Sequence, residues 1–124
     1  MKPARELPPH LHRGADAEQS ALAYLRARGL ELVARNYRCS SGELDLVMLD
    51  RRELVFVEVR YRNSDRFGGA TRSVDSAKQR KLRRAGEVFL QQHPKLAFTA
   101  CRFDVIALEG DAPGYRIDWI SDAF

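Results

Sequence analysis

The chain has 124 residues, of which 44% are hydrophobic and 31% are charged, and its net charge is +4. This composition is typical of a globular domain with its own core and excludes an intrinsically disordered chain. No apolar segment is long enough to span a membrane, and residues 1–13 lack the apolar stretch of a secretory signal, so we expect a cytoplasmic protein. Cys39 and Cys101 lack the spacing of a zinc site and are expected to be reduced thiols in or near the core.

Positive charge is concentrated in one part of the chain. Residues 60–84 contain nine Lys and Arg residues against two acids, a net charge of +7, whereas the rest of the chain has a net charge of −3. Such asymmetry favours a polyanionic partner, above all nucleic acid, although a basic run can also be a solvated face.

The first third of the chain predicts a tail, a helix and a strand. Residues 1–13 hold three of the five prolines and predict a flexible N-terminal tail, followed by a single domain over residues 14–124. A helix is predicted over residues 15–28 and a first strand over residues 31–39. Glu18 falls on the inward stripe of the helix, where it is either an acid stabilised at the helix start or a carboxylate aimed into a site.

The segment 43–60 contains two β-type runs separated by a polar break and is predicted to form the central hairpin. If the hairpin turns at the middle of this break, opposed residues have numbers that sum to 103. Asp45 then faces Glu58, and Glu43 faces Arg60. Two facing carboxylates repel each other unless a cation lies between them. A divalent metal ion is the natural candidate, because Mg²⁺ prefers hard oxygen ligands.

This pairing predicts the outline of a metal site. Asp45 and Glu58 would hold Mg²⁺ or Mn²⁺, with the backbone carbonyl of Val59 as a third ligand, and Glu18 or Glu43 would assist from the outer shell. The metal ion would polarise a scissile phosphate and provide a more acidic water as the nucleophile.

Arg60 is the predicted cationic partner of this metal site. It would steady the attacking water or the charge that develops on the phosphate. The alternative is a set of ordinary salt bridges, in which Glu43 pairs with Arg60 and Glu58 with a diagonal cation. That alternative leaves the repulsion between Asp45 and Glu58 unresolved.

Residues 61–73 predict a mobile loop, and residues 75–92 a second helix with five cations in the first half and no acid nearby to pair with them. Contact with phosphates explains such a run better than helix salt bridges do. The predicted nucleic-acid-binding residues are Arg62, Arg66, Arg72, Lys78, Arg80, Lys81 and Arg84. Two further strands are predicted over residues 101–108 and 115–120. The central strand is apolar on both faces, which predicts an α/β fold with a mixed sheet covered by helices on both sides.

Asp45, followed after twelve residues by Glu58-Val59-Arg60, resembles the PD-(D/E)xK signature of nucleases with the restriction-endonuclease-like fold. A closer similarity is to the YraN-like family of predicted endonucleases, over residues 14–124. The features that carry this similarity are segments 42–46 (Gly-Glu-Leu-Asp-Leu), 56–59 (Phe-Val-Glu-Val) and 102–104 (Arg-Phe-Asp), Lys78 and the Gly68-Gly69 loop.

The resemblance implies an αβββαβ core like that of archaeal Holliday-junction resolvases. It also implies that Glu18 is the acid of the first helix, Asp45 the central aspartate and Glu58 the glutamate of the motif. Arg60 departs from the motif, which has lysine at this position. Arginine stays protonated and cannot serve as a base, so a proton-transferring lysine would have to come from Lys78 or Lys81.

The sequence therefore leaves alternative functions open. The first is a metal-dependent DNA endonuclease, structure-selective in repair or recombination. The second is a non-catalytic nucleic-acid-binding module with a degraded site, and a weaker third is a domain whose basic helix binds an acidic protein. The resemblance to junction-resolving proteins implies a homodimer, but no apolar patch in this sequence predicts one.

Overall fold

A mixed five-stranded sheet lies between two long helices in the computed structural model, which describes residues 9–62, 73–97, 99–111 and 114–124. The strands follow one another in the sheet in chain order; the third and fourth strands are parallel, and the other neighbours are antiparallel. The predicted α/β fold class is confirmed. The elements are α1 (Pro9–Ala27), β1 (Glu31–Cys39), β2 (Gly42–Asp50), β3 (Glu53–Arg62), α2 (Ser76–Gln92), a short 3₁₀ turn (Pro94–Leu96), β4 (Ala100–Glu109) and β5 (Arg116–Ile120).

The central hairpin has the predicted register over five residue pairs, from Leu46 with Val57 to Asp50 with Glu53. Its turn contains Arg51, whose φ of 59° is in the left-handed region that tight hairpin turns require. The prediction that paired numbers sum to 103 is therefore confirmed for this part of the hairpin.

Each face of the sheet has its own apolar core, because β3 is covered on both sides. The alternation along β3 places Val55 and Val57 under α1, and Leu54 and Phe56 under α2. The other core residues on the α1 side include Leu22, Leu25, Leu46, Met48, Ile106 and Leu108. Those on the α2 side include Leu44, Val47, Leu82, Ala85, Phe89 and Val105.

The first helix begins earlier in the chain than predicted. It begins at Pro9 and thus includes residues assigned to the tail, since proline is compatible with the first turn of a helix. The buried face of this helix is formed by Ala17, Ala21, Leu22 and Leu25. The second helix begins after Asp75, whose side chain accepts a hydrogen bond from the backbone N–H of Lys78 at 2.8 Å.

A buried polar network joins the turn end of the hairpin to β4 and the C-terminus. The fully buried carboxylate of Asp104 accepts hydrogen bonds from Trp119 Nε1 at 2.8 Å, the Asp122 N–H at 2.9 Å and Arg102 Nε at 3.0 Å. Arg102 also forms an ion pair with Glu53 at 2.7 Å. Because every member has partners of opposite charge or polarity, this network fixes the hairpin against β4.

The composition raised two further expectations. Both cysteines are free thiols, as predicted, although Cys39 is half-buried and Cys101 is exposed rather than lodged in the core. Among the described residues, no helix is both long and apolar enough to cross a membrane.

Candidate functional site

The pairing between β2 and β3 stops at Leu46 and Val57, although both strands continue with their outer neighbours. From this point, β2 stays paired with β1 to its first residue, and β3 stays paired with β4 to its last. We call this place the fork. Here the backbone N–H of Val59 donates to Oδ2 of Asp45 at 2.8 Å. A carboxylate thus accepts the hydrogen bond of a strand N–H where the backbone ladder has ended.

The alternation of side chains along β2 is interrupted at Asp45. Leu44 belongs to the core on the α2 side, whereas Leu46, two residues further on, belongs to the core on the α1 side. In β1, the residues before and after Asn36 pair with Leu46 and Leu44, so Asn36 lies opposite Asp45. Asn36 has a φ of 53°, a left-handed conformation that Asn tolerates better than most residues. Both strands therefore reverse their faces at the fork.

Asp45 and Glu58 lie close together at the fork, and Glu58 is only 9% exposed. Burial, the negative charge of Glu58 and a side-chain hydrogen bond with Glu58 raise the pKa of Asp45 to about 8, against the lowering effect of the Val59 N–H. The charge of Glu18 acts in the same direction as that of Glu58. Two adjacent carboxyl groups, one half-buried and one buried, need a shared proton or a cation to be stable together.

A lysine of α2 reaches this acid pair. Lys78 Nζ lies 3.6 Å from Oε2 of Glu58, an oxygen without a hydrogen-bond partner among the described residues. The expectation that the cations of α2 have no acid nearby is therefore wrong for Lys78. Of the two lysines that the sequence suggested could reach the site, Lys81 lies instead beside Gly42 at the β1–β2 turn. Arg60 is half-buried, and its Nε has no hydrogen-bond partner among the described residues.

Glu18 is held by two residues that the sequence analysis missed. Its Oε1 accepts hydrogen bonds from Arg35 Nη2 at 3.1 Å and from Asn36 Nδ2 at 3.0 Å. Neither residue belongs to an acid or metal-ligand pattern, so spacing alone could not single them out. The one signal was a pair of polar residues, Arg-Asn, in the middle of an otherwise alternating strand.

Glu43 does not face Arg60, and this prediction is wrong. Glu43 pairs with Arg38 of β1 in the sheet, and its side chain, 38% exposed, forms an ion pair with Arg38 at 3.5 Å. The reason is physical: the β2–β3 ladder ends before it reaches these residues. Val59 contacts Asp45 through its amide N–H, so the role of its carbonyl as a metal ligand stays a prediction.

The predicted nucleic-acid-binding residues occupy different places. The basic residues of α2 are all exposed: Lys78, Arg80, Lys81, Arg83 and Arg84. Of these, Arg83 lies over the rings of Phe103 and Phe124, at 5.4 and 5.5 Å from their centroids. Arg62 ends β3, and its carbonyl accepts a hydrogen bond from the Gly110 N–H at 3.0 Å. Arg66, Arg72 and the Gly68-Gly69 loop lie outside the described residues.

The donors at the fork fit a loosely held metal ion better than a closed metal cage. In the described part of the chain, no group of three or more His, Cys, Asp or Glu side chains is arranged to hold a metal ion. The fork offers two adjacent carboxyl groups, and Oε2 of Glu58 has no hydrogen bond to lose. Mg²⁺ is commonly bound by one or two carboxylates, with water and substrate phosphate completing its shell. These residues therefore fit Mg²⁺ or Mn²⁺ bound in that manner.

The molecule is an α/β protein whose five-stranded mixed sheet and two helices are consistent with a restriction-endonuclease-like core, with an acid pair inside the sheet. The model of the uncharacterised protein family UPF0102 matches residues 17–108 of the chain. The chain belongs to the UPF0102 family.

Curated relatives with the same family name match this chain over nearly their whole length. A UPF0102 protein of Pseudomonas entomophila is 53% identical over 112 residues, which cover 90% of this chain and 91% of the relative. One from Ralstonia nicotianae is 54% identical over 127 residues, covering 99% and 94%. A solved structure of SfsA from Pyrococcus furiosus, in complex with Ca²⁺, is 14% identical with a TM-score of 0.38. The match covers 90% of this chain but only 63% of that structure.

We predict that Asp45→Asn stabilises the fold in a pH-dependent manner. The pKa of Asp45 is about 8 in the folded protein and 3.8 in a model peptide, so its contribution to stability is fully present below pH 3.8 and is lost as the pH rises to about 8. An asparagine side chain does not ionise, so the variant lacks this loss of stability, and its amide oxygen can still accept the hydrogen bond from the Val59 N–H. Its gain in melting temperature over the wild type should therefore grow between pH 4 and pH 8 and then level off. A gain that is the same at every pH would contradict the prediction.

Proposed function

We propose that this protein is a metal-dependent DNA endonuclease that hydrolyses phosphodiester bonds at the fork. The observation that carries the proposal is the pair formed by half-buried Asp45 and buried Glu58, placed where the backbone ladder stops and within reach of the Lys78 ammonium. A strongly perturbed acid pair of this kind is characteristic of functional sites, since it destabilises the fold without a ligand. The resemblance of the hairpin to the PD-(D/E)xK signature supports the same reaction.

In this proposal, Asp45 and Glu58 hold Mg²⁺ or Mn²⁺, with Glu18 close enough to Asp45 for their charges to interact. When bound, the metal ion polarises the scissile phosphate and makes a bound water more acidic. The chain itself orients the donor: the Val59 N–H holds Oδ2 of Asp45. Neighbours of this kind fix the direction of a ligand carboxylate before the metal arrives.

Lys78 supplies what Arg60 cannot. A guanidinium remains protonated, so Arg60 contributes positive charge but cannot exchange a proton with the attacking water or the leaving group. The Lys78 ammonium lies 3.6 Å from Glu58, is 45% exposed and is therefore open to an incoming phosphate. Lysine on α2 can thus take the role that the motif gives to a lysine on the strand.

The exposed cations of α2 support DNA as the substrate. Arg80, Lys81 and Arg84 are exposed on the same helix as Lys78, so phosphates that approach the fork also meet further positive charge. Arg83 is less suited to this contact because its guanidinium lies over two aromatic rings.

A second candidate function is a nucleic-acid-binding module without catalysis. The arginine at the motif's lysine position favours it, together with the absence of a third protein carboxylate in metal-binding geometry among the described residues. Salt-sensitive DNA binding without cleavage by the wild type would favour this module.

Purified protein is expected to cleave branched, nicked or single-stranded DNA when Mg²⁺ or Mn²⁺ is present. Asp45→Ala and Glu58→Ala should each lower the rate by at least about 100-fold, the usual effect of losing an essential catalytic group. Glu87→Ala removes an exposed acid of α2 and serves as the matched control, with an unchanged rate. Cleavage that survives in both fork variants would show that these acids do not carry the reaction.

Replacement of Lys78 tests its role against that of Arg60. Lys78→Ala should lower kcat by at least about tenfold, and the added Arg60→Lys substitution should restore part of it, because the lysine then returns on the strand. Lys81→Ala, one turn further along α2, removes an equal charge and should raise KM while kcat stays the same. If Lys78→Ala keeps the wild-type kcat, Lys78 is not the catalytic cation.

Charge reversal of Lys81 and Arg84 to Glu should weaken DNA binding regardless of DNA sequence. The slope of log affinity against log salt should fall by about 2, since each phosphate contact contributes about 0.9. Fluorescence anisotropy over a range of salt concentrations measures both quantities, with Arg83→Gln as the control that keeps wild-type affinity. An unchanged slope would show that Lys81 and Arg84 do not contact phosphates. A wild type that binds no nucleic acid would favour a protein-interaction domain instead.

A further inference from the structure

We infer that Asn36 and Arg35 are positioning residues of the metal site: they hold Glu18 at the strand residue that lies opposite Asp45, so that its negative charge strengthens cation binding from outside the ligand shell. The inference rests on the proposed function and extends it to two residues of the edge strand β1. Neither residue touches Asp45 or Glu58 in any hydrogen bond of the described structure, so their effect on the site would pass through Glu18.

The backbone of Asn36 is part of this arrangement. Its φ of 53° breaks the regular course of β1 directly opposite Asp45, at the point where β2 also changes face. In a regular strand, residues 35 and 36 would point to opposite sides of the sheet. Here both side chains reach Glu18 of α1. The left-handed residue thus turns two successive donors towards one carboxylate.

The hydrogen bonds are selective for one oxygen of Glu18. Arg35 Nη2 and Asn36 Nδ2 both donate to Oε1, while Arg35 Nη1 donates to Oε1 of the next residue, Gln19, at 3.2 Å. Two donors on one oxygen fix the rotation of the carboxylate and leave Oε2 outside this pair of bonds. The side chain of Glu18 is only 16% exposed, so it is oriented inside the protein rather than in solvent.

Glu18 forms a favourable ion pair with Arg35, and its charge also acts on Asp45. Glu18 is near enough to Asp45 to help raise the pKa of that group, so the contacts with Arg35 and Asn36 hold a third negative charge close to the acid pair. A bridge that served only to attach α1 to β1 would gain nothing from this proximity. A bound divalent cation turns the repulsion into attraction, and this explains why the carboxylate is held there.

A double-mutant cycle on Mn²⁺ binding tests the inference. Calorimetric titration of Mn²⁺ into the wild type, Asn36→Gly, Glu18→Ala and the double variant gives the four affinities required. Glycine accepts the positive φ, so Asn36→Gly removes the amide while it keeps the backbone course. We expect Asn36→Gly to weaken Mn²⁺ binding by about tenfold, the lower end of the effect of losing an outer-shell partner. The double variant should bind no more weakly than Glu18→Ala alone.

Two further variants separate positioning from folding. Arg51→Gly replaces another left-handed residue, in the β2–β3 turn, and should keep wild-type affinity. Arg35→Gln leaves the backbone at Asn36 untouched and should weaken Mn²⁺ binding in the same direction, so the inference remains testable even if Asn36→Gly does not fold.

The outcomes distinguish this inference from the proposed function. If Asn36→Gly weakens Mn²⁺ binding equally in the wild type and in the Glu18→Ala variant, the positioning role is overturned. Mn²⁺ binding and cleavage that depend on Asp45 would still support the nuclease proposal in that case. A wild type that binds no Mn²⁺ would overturn both. Wild-type affinity in both Asn36→Gly and Arg35→Gln would show that the contacts with Glu18 serve only to join α1 to β1.

Discussion

The hydrogen bond from the Val59 N–H to the Asp45 carboxylate is the contact on which the site depends. It stands where the β2–β3 ladder has stopped, so it satisfies a strand N–H that has lost its neighbour on that side. The same bond directs one carboxylate oxygen and keeps Asp45 beside Glu58. If β2 had continued to pair with β3, its backbone would fill this space, and the sheet would have no room for a carboxylate between the strands.

The fork explains how one site receives groups from both faces of a sheet. A closed sheet separates the helices that cover it, and α1 and α2 here pack on different cores. Where the central ladder opens, Glu18 comes from the α1 side and Lys78 from α2. The opposite end of the hairpin is fixed by Arg102 and Asp104, so the strands are tied at the turn and separate only beyond Leu46. The proposed site and the rigid network thus lie at opposite ends of the same hairpin.

The sequence predicted the part of the structure that local pattern controls. A polar break between two apolar runs determined the hairpin register, and alternation along β3 determined its two faces. The same reasoning failed for Glu43, because it extended a regular ladder past the point where pairing ends. Asn36 could not be foreseen, since its left-handed backbone and its contact with Glu18 depend on tertiary structure. Nor could spacing choose between Lys78 and Lys81, because that choice depends on how α2 packs across the sheet.

Two aspartates in this sheet, fully buried Asp104 and half-buried Asp45, differ in a way that supports the proposal of a site at the fork. Asp104 is surrounded by donors: a guanidinium, an indole N–H and a backbone N–H all point at its oxygens. Such a carboxylate stabilises the fold. Asp45 has a single backbone donor and faces a second acid, so its ionised form is disfavoured where it lies. Local rules that are broken without compensation inside the fold are expected where a ligand supplies the compensation. A divalent cation would give Asp45 what Arg102 gives Asp104.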